Sequence, residues 1–282
     1  MKNQARSDYT IENTSKSLSF LNKHADLNKP EEVKTFIASL KTSTSYKRNL
    51  CIAYNKFVQY YQLTWEMPHY KPEAKHIKIP TKEKLEMLIS ASGRTLATRL
   101  TISMETGLRP IELCNLRVKD VDLEQRIIYP TTAKHGTARA LKISNKLQMM
   151  LQNHIIRNNL NPNDKLFKGD TENYGKFYRI VRNRLAKKLQ DPTIGTIRLY
   201  DFRHYFATML YHKTRDILYT KQQMGHCEIK TTLIYTQLLN LNEDEWTCKA
   251  TNNTNEATQL VENGFEYVTT TPDNLMLFRK RK

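Results

Sequence analysis

The sequence has little cysteine and no long apolar run. Its four cysteines form no CxxC pair and have no histidines around them at zinc-ligand spacing, so we expect neither a disulfide scaffold nor a zinc finger. No segment approaches the roughly 18 to 20 apolar residues that cross a bilayer, and the N-terminal residues lack the apolar core of a signal peptide. Internal repeats and low-complexity segments are also absent. These absences predict a soluble, cytoplasmic protein that does not act at a membrane.

Positive charge is what the chain has in excess. It carries 45 Lys and Arg against 28 Asp and Glu, a net charge of +17. A membrane, a nucleic acid or an acidic protein could each attract such a chain. Residues 1–78 hold 13 basic and 7 acidic side chains, residues 79–250 hold 28 and 17, and residues 251–282 hold 4 of each. Because the excess is dispersed and not concentrated beside an apolar helix face, we expect a nucleic acid partner, with an ordinary basic surface as the alternative.

Hydrophobic periodicity predicts two folded domains. Residues 1–66 contain three segments with apolar side chains at helical spacing, which predicts a small all-helical domain. Residues 67–80 are rich in proline and lysine and predict an extended basic linker. Residues 81–250 predict a larger, mostly helical domain with one small antiparallel sheet, whose turn contains His135 and Gly136. The expected fold class is therefore mainly α with a small antiparallel β-sheet.

The remaining residues, 251–282, predict a C-terminal tail with a β-hairpin. Alternating side chains flank Pro272, Asp273 and Asn274, which are turn residues. The terminal RKRK sequence could bind DNA or form a disordered basic end. The balanced charge of the tail favours docking on a protein over a third DNA-binding module.

Two segments of the larger domain place a basic side chain where it can meet an anion. The segment ETGLRPIEL puts Arg109 between Gly107 and Pro110 at the start of a helix, where the helix dipole favours negative charge. The segment TTAKHGTAR puts Lys134 beside a glycine-containing turn, where a long flexible ammonium can move. Taken singly, such an arginine is more often part of a surface ion pair, and such a lysine usually only aids solubility.

Two later segments add histidine, arginine and tyrosine. The segment IRLYDFRHYFATMLYH places Tyr200, Arg203 and His204 at the start of a helix. The segment QQMGHCEIKTTLIYTQL presents His226 in a turn and Tyr235 nine residues later on a short helix. A lone histidine or tyrosine in such a place is usually a packing residue. The functional interpretation therefore depends on the order in which all four segments occur.

The ordered motifs LRPIEL, AKHG, YDFRHYFAT and MGHCEIKTTLIY resemble those of the tyrosine recombinases, or phage-type integrases, in their archaeal integrase-like or Xer-like branch. That family has the order Arg, Lys, His-x-x-Arg, His or Trp, and Tyr, and the matching motifs span residues 105–237. The resemblance implies a two-domain, C-shaped DNA clamp, with a core-binding (SAM-like) domain before the catalytic domain. One position departs from the pattern, because Tyr200 stands where a histidine is usual.

The resemblance implies a transesterification that needs no metal or cofactor. A tyrosine oxygen attacks a phosphodiester, two guanidiniums stabilise the charge that develops on the non-bridging oxygens, and an ammonium protonates the leaving 5′ oxygen. The product is a 3′-phosphotyrosine, which a 5′ hydroxyl of another strand can reverse without ATP. The implied roles are nucleophile for Tyr235, phosphate binding for Arg109 and Arg203, general acid for Lys134, phosphate hydrogen bonding or proton transfer for His226, and a place near the phosphate for Tyr200.

Other residues carry weaker expectations. Glu112, on the helix that follows the first arginine, could orient a basic side chain or could simply be solvated. His204 is expected to support the fold or the phosphate region and not to take part directly in catalysis. Lys47, Arg48 and Arg139 are candidates for contacts with DNA phosphates.

The leading hypothesis is a site-specific DNA recombinase of the integrase, excisionase or dimer-resolving type. In it, a homotetramer brings together two duplexes, each with a double-stranded recombination site, in the nucleoid. The tail is expected to dock on a neighbouring subunit. Two alternatives are a type IB topoisomerase-like relaxase, with the same chemistry but no pairing of sites, and a catalytically silent DNA-binding protein of the same fold.

Overall fold

The computed structural model describes residues 7–71, 77–133, 136–236 and 246–281. The chain divides into two compact units, Met1–His76 and Ile77–Lys282, and the division falls within the segment predicted as a linker. Helices dominate and the strands form two small antiparallel sheets, which confirms the predicted fold class. Among these described residues, no helix has the length and apolar character needed to span a bilayer.

The first unit contains three helices, α1 (Asp8–Asn22), α2 (Pro30–Ser39) and α3 (Thr44–Tyr61). Local chemistry sets where each begins. The hydroxyls of Ser7 and Ser43 cap α1 and α3 by accepting a hydrogen bond from the first turn. Proline opens α2, at a position where its missing N–H has no intrahelical partner to lose.

Apolar side chains from all three helices fill the core of this unit. Tyr54 is fully buried, and its hydroxyl donates to the carbonyl of Leu27 at 2.9 Å, which satisfies its one polar atom. Trp65 packs edge-on against Tyr54, with ring centroids 4.8 Å apart, and donates to Oδ1 of Asn55 at 3.0 Å. The buried members of the core are Leu21, Leu27, Val33, Ile37, Leu50, Cys51, Tyr54 and Val58.

The second unit is also mostly helical. Its central helix is buried on nearly every side and contacts five neighbouring helices, so it forms the middle of a larger core. The helices in chain order are α4 (Lys82–Ser90), α5 (Arg94–Thr106), which is the central one, α6 (Pro110–Asn115), α7 (Asn145–Arg157), α8 (Thr171–Lys188), α9 (Pro192–Thr196), α10 (Leu199–Thr214), α11 (Ile217–Met224) and α12 (Lys230–Leu233), with 3₁₀ turns at Val118–Asp120 and Ile234–Thr236.

A small antiparallel sheet interrupts these helices. Its strands are β1 (Val121–Asp122), β2 (Ile127–Ile128) and β3 (Leu141–Lys142), in the order β1-β2-β3. The sequence predicted one small antiparallel sheet here, and the structure confirms it, with three strands of two residues each. The connection from β2 to β3 is the long segment 129–140 and not a tight hairpin; His135 within it lies outside the described residues.

The C-terminal residues form a separate three-stranded sheet. It consists of β4 (Trp246–Thr251), β5 (Glu266–Thr270) and β6 (Met276–Arg281), with β6 in the middle and helix α13 (Thr254–Glu262) between β4 and β5. The sheet therefore begins at residue 246, before the expected boundary at 251. Neither β4 nor α13 was expected from the sequence.

The predicted C-terminal hairpin forms between β5 and β6. Its turn is closed by a hydrogen bond from the backbone N–H of Thr271 to the carbonyl of Leu275 at 2.9 Å. Asn274 takes a φ of 58°, a left-handed conformation that asparagine adopts more readily than most residues. The turn residues recognised in the sequence are therefore the ones that reverse the chain.

A cavity in the core of the first unit should destabilise that unit. Leu50 is fully buried on α3, so Leu50→Ala should lower the free energy of unfolding by about 2–5 kcal/mol. Ile52 lies on the same helix but is 39% exposed, so Ile52→Ala should change it by about 0.5 kcal/mol or less. Urea denaturation of the full chain, followed by circular dichroism, measures both. Equal losses for the two variants would contradict this packing.

Candidate active site

The predicted functional residues of the second unit meet where four chain segments begin or end. Arg109 precedes α6, Arg203 lies in the first turns of α10, His226 follows α11, and Tyr235 lies in the 3₁₀ turn after α12. Helix α10 packs against both α11 and this 3₁₀ turn. Within the described part of the chain, no group of three or more His, Cys, Asp or Glu side chains could hold a metal ion.

Arg203 is almost completely buried, and backbone groups hold its guanidinium. It donates through Nη1 to the carbonyl of Gly107, and through Nη2 to the carbonyl of Met224 at 2.6 Å and to Nε2 of His226 at 3.0 Å. Its Nε has no hydrogen-bond partner among the described residues. Burial, followed by the charge of Arg109, lowers the pKa of Arg203 to about 10, so it remains a cation at neutral pH.

The buried carboxylate of Glu112 holds two further guanidiniums. Its Oε1 lies 2.9 Å from Nη1 of Arg109, and its Oε2 lies 2.7 Å from Nη2 of Arg139. Oε2 also accepts the backbone N–H of Arg109 at 3.0 Å, which caps α6. Burial opposes the ionisation of Glu112, but the contacts with Arg139 and then Arg109 outweigh it and lower its pKa. Of the two expectations for Glu112, the structure therefore supports the one in which its carboxylate orients a basic side chain.

Arg139 lies in the interior of the site. The sequence suggested a phosphate contact, whereas its side chain is fully buried against Glu112. Gly225 leaves space for the side chain of Arg139. The φ of Gly225 is 61°, and a Cβ on this residue would lie 2.6 Å from Nη1 of Arg139. Arg109 donates through Nη2 to the carbonyl of the same glycine at 3.5 Å. This geometry favours a positioning role for Arg139 over the contact with DNA.

His226 is buried between Arg203 and Thr232. Because arginine can only donate, we assign Nε2 of His226 as the acceptor, and the proton of the neutral ring to Nδ1, which donates to Oγ1 of Thr232 at 2.9 Å. Burial, followed by the charges of Arg203, Arg109 and Arg139, lowers the pKa of His226 to about 3. The histidine is therefore neutral near pH 7.

The phenol of Tyr235 is buried and faces His204. Tyr235 is only 2% exposed and packs with Ala207 and Met224. Its Oη lies 3.1 Å from Nδ1 of His204. Burial raises the pKa of Tyr235 to about 12, although the charge of Arg203 acts in the opposite direction. The site therefore holds a protonated, desolvated phenol within the field of an arginine.

Tyr200 belongs to the same cluster. It lies near the start of α10, is 41% exposed, and packs edge-on against His204 with ring centroids 5.2 Å apart. Its electrostatic influence extends to Arg203 and Tyr235. The structure therefore brings Tyr200 together with these three residues, as the motif order predicted.

Lys134 lies outside the described residues, but both of its flanks are at the site. On one side, the backbone N–H of Ala133 donates to Oε1 of Glu112 at 3.4 Å. On the other side, a Cβ built on Gly136 would lie 3.1 Å from the carbonyl oxygen of Gly225 and 3.6 Å from Nη1 of Arg109. The described residues Ala133 and Gly136, on either side of this position, therefore lie near Glu112 and Arg109.

Lys47 and Arg48 belong to the first unit, on α3. The ammonium of Lys47 donates to the carbonyl of Ala38 at 2.7 Å and lies 5.7 Å from the ring centroid of Tyr70. Arg48 is exposed. A contact between either residue and a DNA phosphate stays a prediction.

The sequence did not reveal which residue His204 contacts. We expected His204 to support the fold or the phosphate region, and its Nδ1 lies 3.1 Å from the phenol oxygen of Tyr235. A signal was available, because Tyr200 and His204 are four residues apart on one helix and therefore share a face. No feature of the sequence indicates that the hydroxyl of Thr232 accepts a hydrogen bond from His226.

Comparison with known families identifies the class of protein. The model of the phage integrase family matches residues 79–241, more than half of the chain, and this range includes all four motifs. The chain belongs to the phage integrase family, which confirms the resemblance drawn from the motifs.

Curated relatives carry the name tyrosine recombinase. XerA of Saccharolobus solfataricus is 31% identical over 195 residues, which cover 68% of this chain and 63% of that protein. XerH of Campylobacter jejuni is 28% identical over 183 residues, which cover 59% of this chain and 51% of that protein. The chain thus spans less than two thirds of the length of these relatives.

Solved structures show the same fold. A Tn1549 transposon integrase in complex with transposon right end DNA has a TM-score of 0.64 and 16% identity, over 92% of this chain and 94% of that one. XerH bound to its difH substrate has a TM-score of 0.55 and 24% identity, over 74% of this chain and 67% of that one. At these identities the likeness establishes a shared architecture.

Glu112→Gln should leave the guanidinium of Arg139 buried without a counter-ion. Removing one partner of a buried ion pair costs about 3–5 kcal/mol, and we expect that loss of unfolding free energy at pH 7. Because folding lowers the pKa of Glu112, its stabilisation is present above the unfolded value of about 4.3 and is lost as the pH falls through the folded value. Urea denaturation at several pH values measures both effects.

The control for this variant is Glu86→Gln, on the exposed side of α4. Its carboxylate is 54% exposed and 3.8 Å from Lys82, so its loss should change stability by about 0.5 kcal/mol or less. Equal stability of Glu112→Gln and the unaltered protein at pH 7 would show that Glu112 does not hold the arginines.

His226 should remain neutral well into acidic pH. Its pKa of about 3 lies below the unfolded value of about 6.5, so the unfolded chain binds the proton first and stability falls as the pH drops from about 6.5 towards 3. Nitrogen NMR at pH 6 should show a protonated Nδ1 and an unprotonated Nε2. The spectrum of His226→Gln identifies the signals, and a doubly protonated ring at pH 6 would disprove this assignment.

Proposed function

We propose that this protein is a site-specific DNA recombinase that cleaves and rejoins duplex DNA through Tyr235. The observation that carries the proposal is the convergence, in one chain, of a buried phenol, two guanidiniums and a neutral histidine in the order of the family motif. The relatives named tyrosine recombinases, and the fold shared with an integrase solved with DNA, support it.

The scissile phosphate would bind beside Arg109 and Arg203. The side chain of Arg109 is 14% exposed, so its guanidinium can donate to non-bridging oxygens, where negative charge grows during attack. Arg203 is 1% exposed, and its buried Nε is a donor without a partner among the described residues, so neighbouring groups would have to move before it donates to the same phosphate. The carbonyls of Gly107 and Met224 fix the guanidinium of Arg203 in the meantime. His226 would orient this guanidinium and, through it, the phosphate.

Lys134 is our proposal for the acid that protonates the leaving 5′ oxygen. The described residues on either side of this position, Ala133 and Gly136, lie near Glu112 and Arg109. An ammonium is a general acid that can supply the proton that the leaving 5′ oxygen needs.

Cleavage would form a 3′-phosphotyrosine, which a 5′ hydroxyl from a second duplex can resolve. Exchange between two duplexes requires paired cleavages, so we propose a homotetramer acting on two recombination sites in the nucleoid.

The first unit, with Lys47 and Arg48, would bind the duplex as the other half of a clamp. The sheet of β4, β5 and β6, which exposes Tyr267 and Val268, would dock on a neighbouring subunit. The XerA relative supports an archaeal, Xer-like branch.

Tyr235→Phe should abolish the covalent intermediate. The substrate is a suicide duplex, nicked beside the scissile phosphate, built from the sequence that the protein enriches from the fragmented genome of its source. The unaltered protein and the control Tyr219→Phe, whose ring is 41% exposed on α11, should form a denaturation-resistant adduct at a DNA 3′ end. An adduct formed by Tyr235→Phe would show that another residue is the nucleophile.

Two further assays of the unaltered protein distinguish the alternative functions. Relaxation of supercoiled plasmid by a monomer, with no recombinants from paired sites, would indicate a relaxase. No adduct at any enriched site would indicate a DNA-binding protein without catalysis. DNA binding itself should weaken steeply with salt, because most contacts with the duplex are expected at phosphates.

A further inference from the structure

The nucleophile of the proposed reaction has a hydrogen-bond partner with no assigned role. Among the described residues, the side-chain partner recorded for the phenol of Tyr235 is Nδ1 of His204, at 3.1 Å. The two rings are inclined at 50°, with centroids 5.8 Å apart, so the imidazole approaches the phenol oxygen without stacking on the ring. His204 is itself 9% exposed. The pair is therefore largely shielded from solvent.

The protonation states allow the phenol to be the donor of this hydrogen bond. Burial lowers the pKa of His204; Asp201 opposes the shift, and Arg198 and Arg203 reinforce it. The imidazole is therefore neutral near pH 7 and has one nitrogen that can accept a proton. The raised pKa of Tyr235 keeps the phenol protonated. We assign the imidazole proton to Nε2, the tautomer in which the phenol donates to Nδ1.

The other basic groups of the site are already engaged. Glu112 is paired with two arginines and accepts backbone N–H groups as well. Nε2 of His226 accepts from Arg203, and its Nδ1 is hydrogen-bonded to Thr232. Of the described bases, His204 is the one within hydrogen-bond distance of the reacting oxygen.

We propose that His204 receives the phenolic proton of Tyr235 during strand cleavage and returns it during rejoining, an inference that rests on the recombinase function proposed above. In cleavage, the Oη–H bond breaks, its proton goes to Nδ1, and the Oη–P bond forms. The P–O5′ bond breaks, and the 5′ oxygen keeps the electron pair and takes a proton from Lys134. In rejoining, the 5′ hydroxyl gives its proton to Lys134 and attacks phosphorus, and the departing phenolate takes its proton from His204.

The tyrosine at position 200, where the family usually has a histidine, is consistent with His204 acting as the base. Tyr200 occupies the position where the family usually has a histidine, and a neutral phenol is a poor base near pH 7. His204 lies four residues later on α10 and therefore on the same face. The edge of Tyr200 packs on His204 at a centroid distance of 5.2 Å and limits where the imidazole can turn. The base would thus stand one helical turn beyond the usual position.

His204→Asn separates proton transfer from hydrogen bonding. The Asn oxygen can accept a hydrogen bond near the position of Nδ1, but it cannot take a proton near neutral pH. On the suicide duplex at pH 7 we expect adduct formation about 100-fold slower than for the unaltered protein, with DNA binding unchanged. His212→Asn, two turns along α10, is the matched control and should cleave at the normal rate. A normal rate for His204→Asn would overturn the proposal.

The pH profile distinguishes a base from a structural residue. The charged or titratable groups around His204 are Tyr200, Asp201, Arg198 and Arg203 from α10 and Tyr235 from the 3₁₀ turn. For the unaltered protein, the cleavage rate should rise as His204 loses its proton and then level off. For His204→Asn it should continue to rise towards alkaline pH, because hydroxide must remove the phenolic proton. A profile of unchanged shape, lowered by the same factor throughout, would overturn the proposal.

A substrate with sulfur in place of the bridging 5′ oxygen separates base from acid. The thiolate leaves without a proton, so this substrate should restore cleavage by Lys134→Ala and leave His204→Asn slow. Recovery of His204→Asn on this substrate would make His204 a proton donor to the leaving group and overturn the proposal. If the unaltered protein forms no adduct, the recombinase function itself is overturned. If the unaltered protein forms the adduct and His204→Asn forms it at the same rate, only the role of His204 is overturned.

Discussion

The guanidinium of Arg203 is the interaction on which the geometry of the site depends. It is buried, and it donates to the carbonyls of Gly107 and Met224, at the C-terminal ends of α5 and α11. Helix ends of this kind carry unpaired carbonyls and the negative end of the helix dipole, so they suit a cation. A buried charge without such acceptors would be strongly destabilising. The cation that fixes two helix ends is therefore also the one that the proposed function assigns to phosphate binding.

Burial, reinforced by the surrounding guanidiniums, explains why His226 is neutral. Burial is the largest cause of its lowered pKa, and the charges of Arg203, Arg109 and Arg139 act in the same direction. Glu112 is ion-paired with Arg109 and Arg139, so it offsets only part of this positive charge. In the proposed function, a phosphodiester bound here would oppose part of the field of the guanidiniums at His226.

Much of the fold and the membership of the site could be predicted from sequence, because both rest on local patterns. Helical periodicity, N-terminal caps and turn residues mark most helices and the C-terminal hairpin, and the spacing of motifs marks the residues that meet. Arg139 shows the limit of that reasoning. Its burial depends on a carboxylate 27 residues away and on space left by Gly225, neither of which a charge pattern reveals. His204 shows the same limit, since its partner is 31 residues further along the chain.

The burial of Tyr235 decides between two ways of activating a phenol. With a pKa of about 12, it is ionised at pH 7 in about one molecule in 100,000, a cost of about 7 kcal/mol. A phenolate formed before attack would add this cost to the barrier. Transfer of the proton to a base at hydrogen-bond distance while the bond to phosphorus forms avoids it, because full negative charge never accumulates on the buried oxygen. The same burial keeps water from the phenol, so under the proposed function one packing arrangement would account both for low reactivity without substrate and for the need for a neighbouring base.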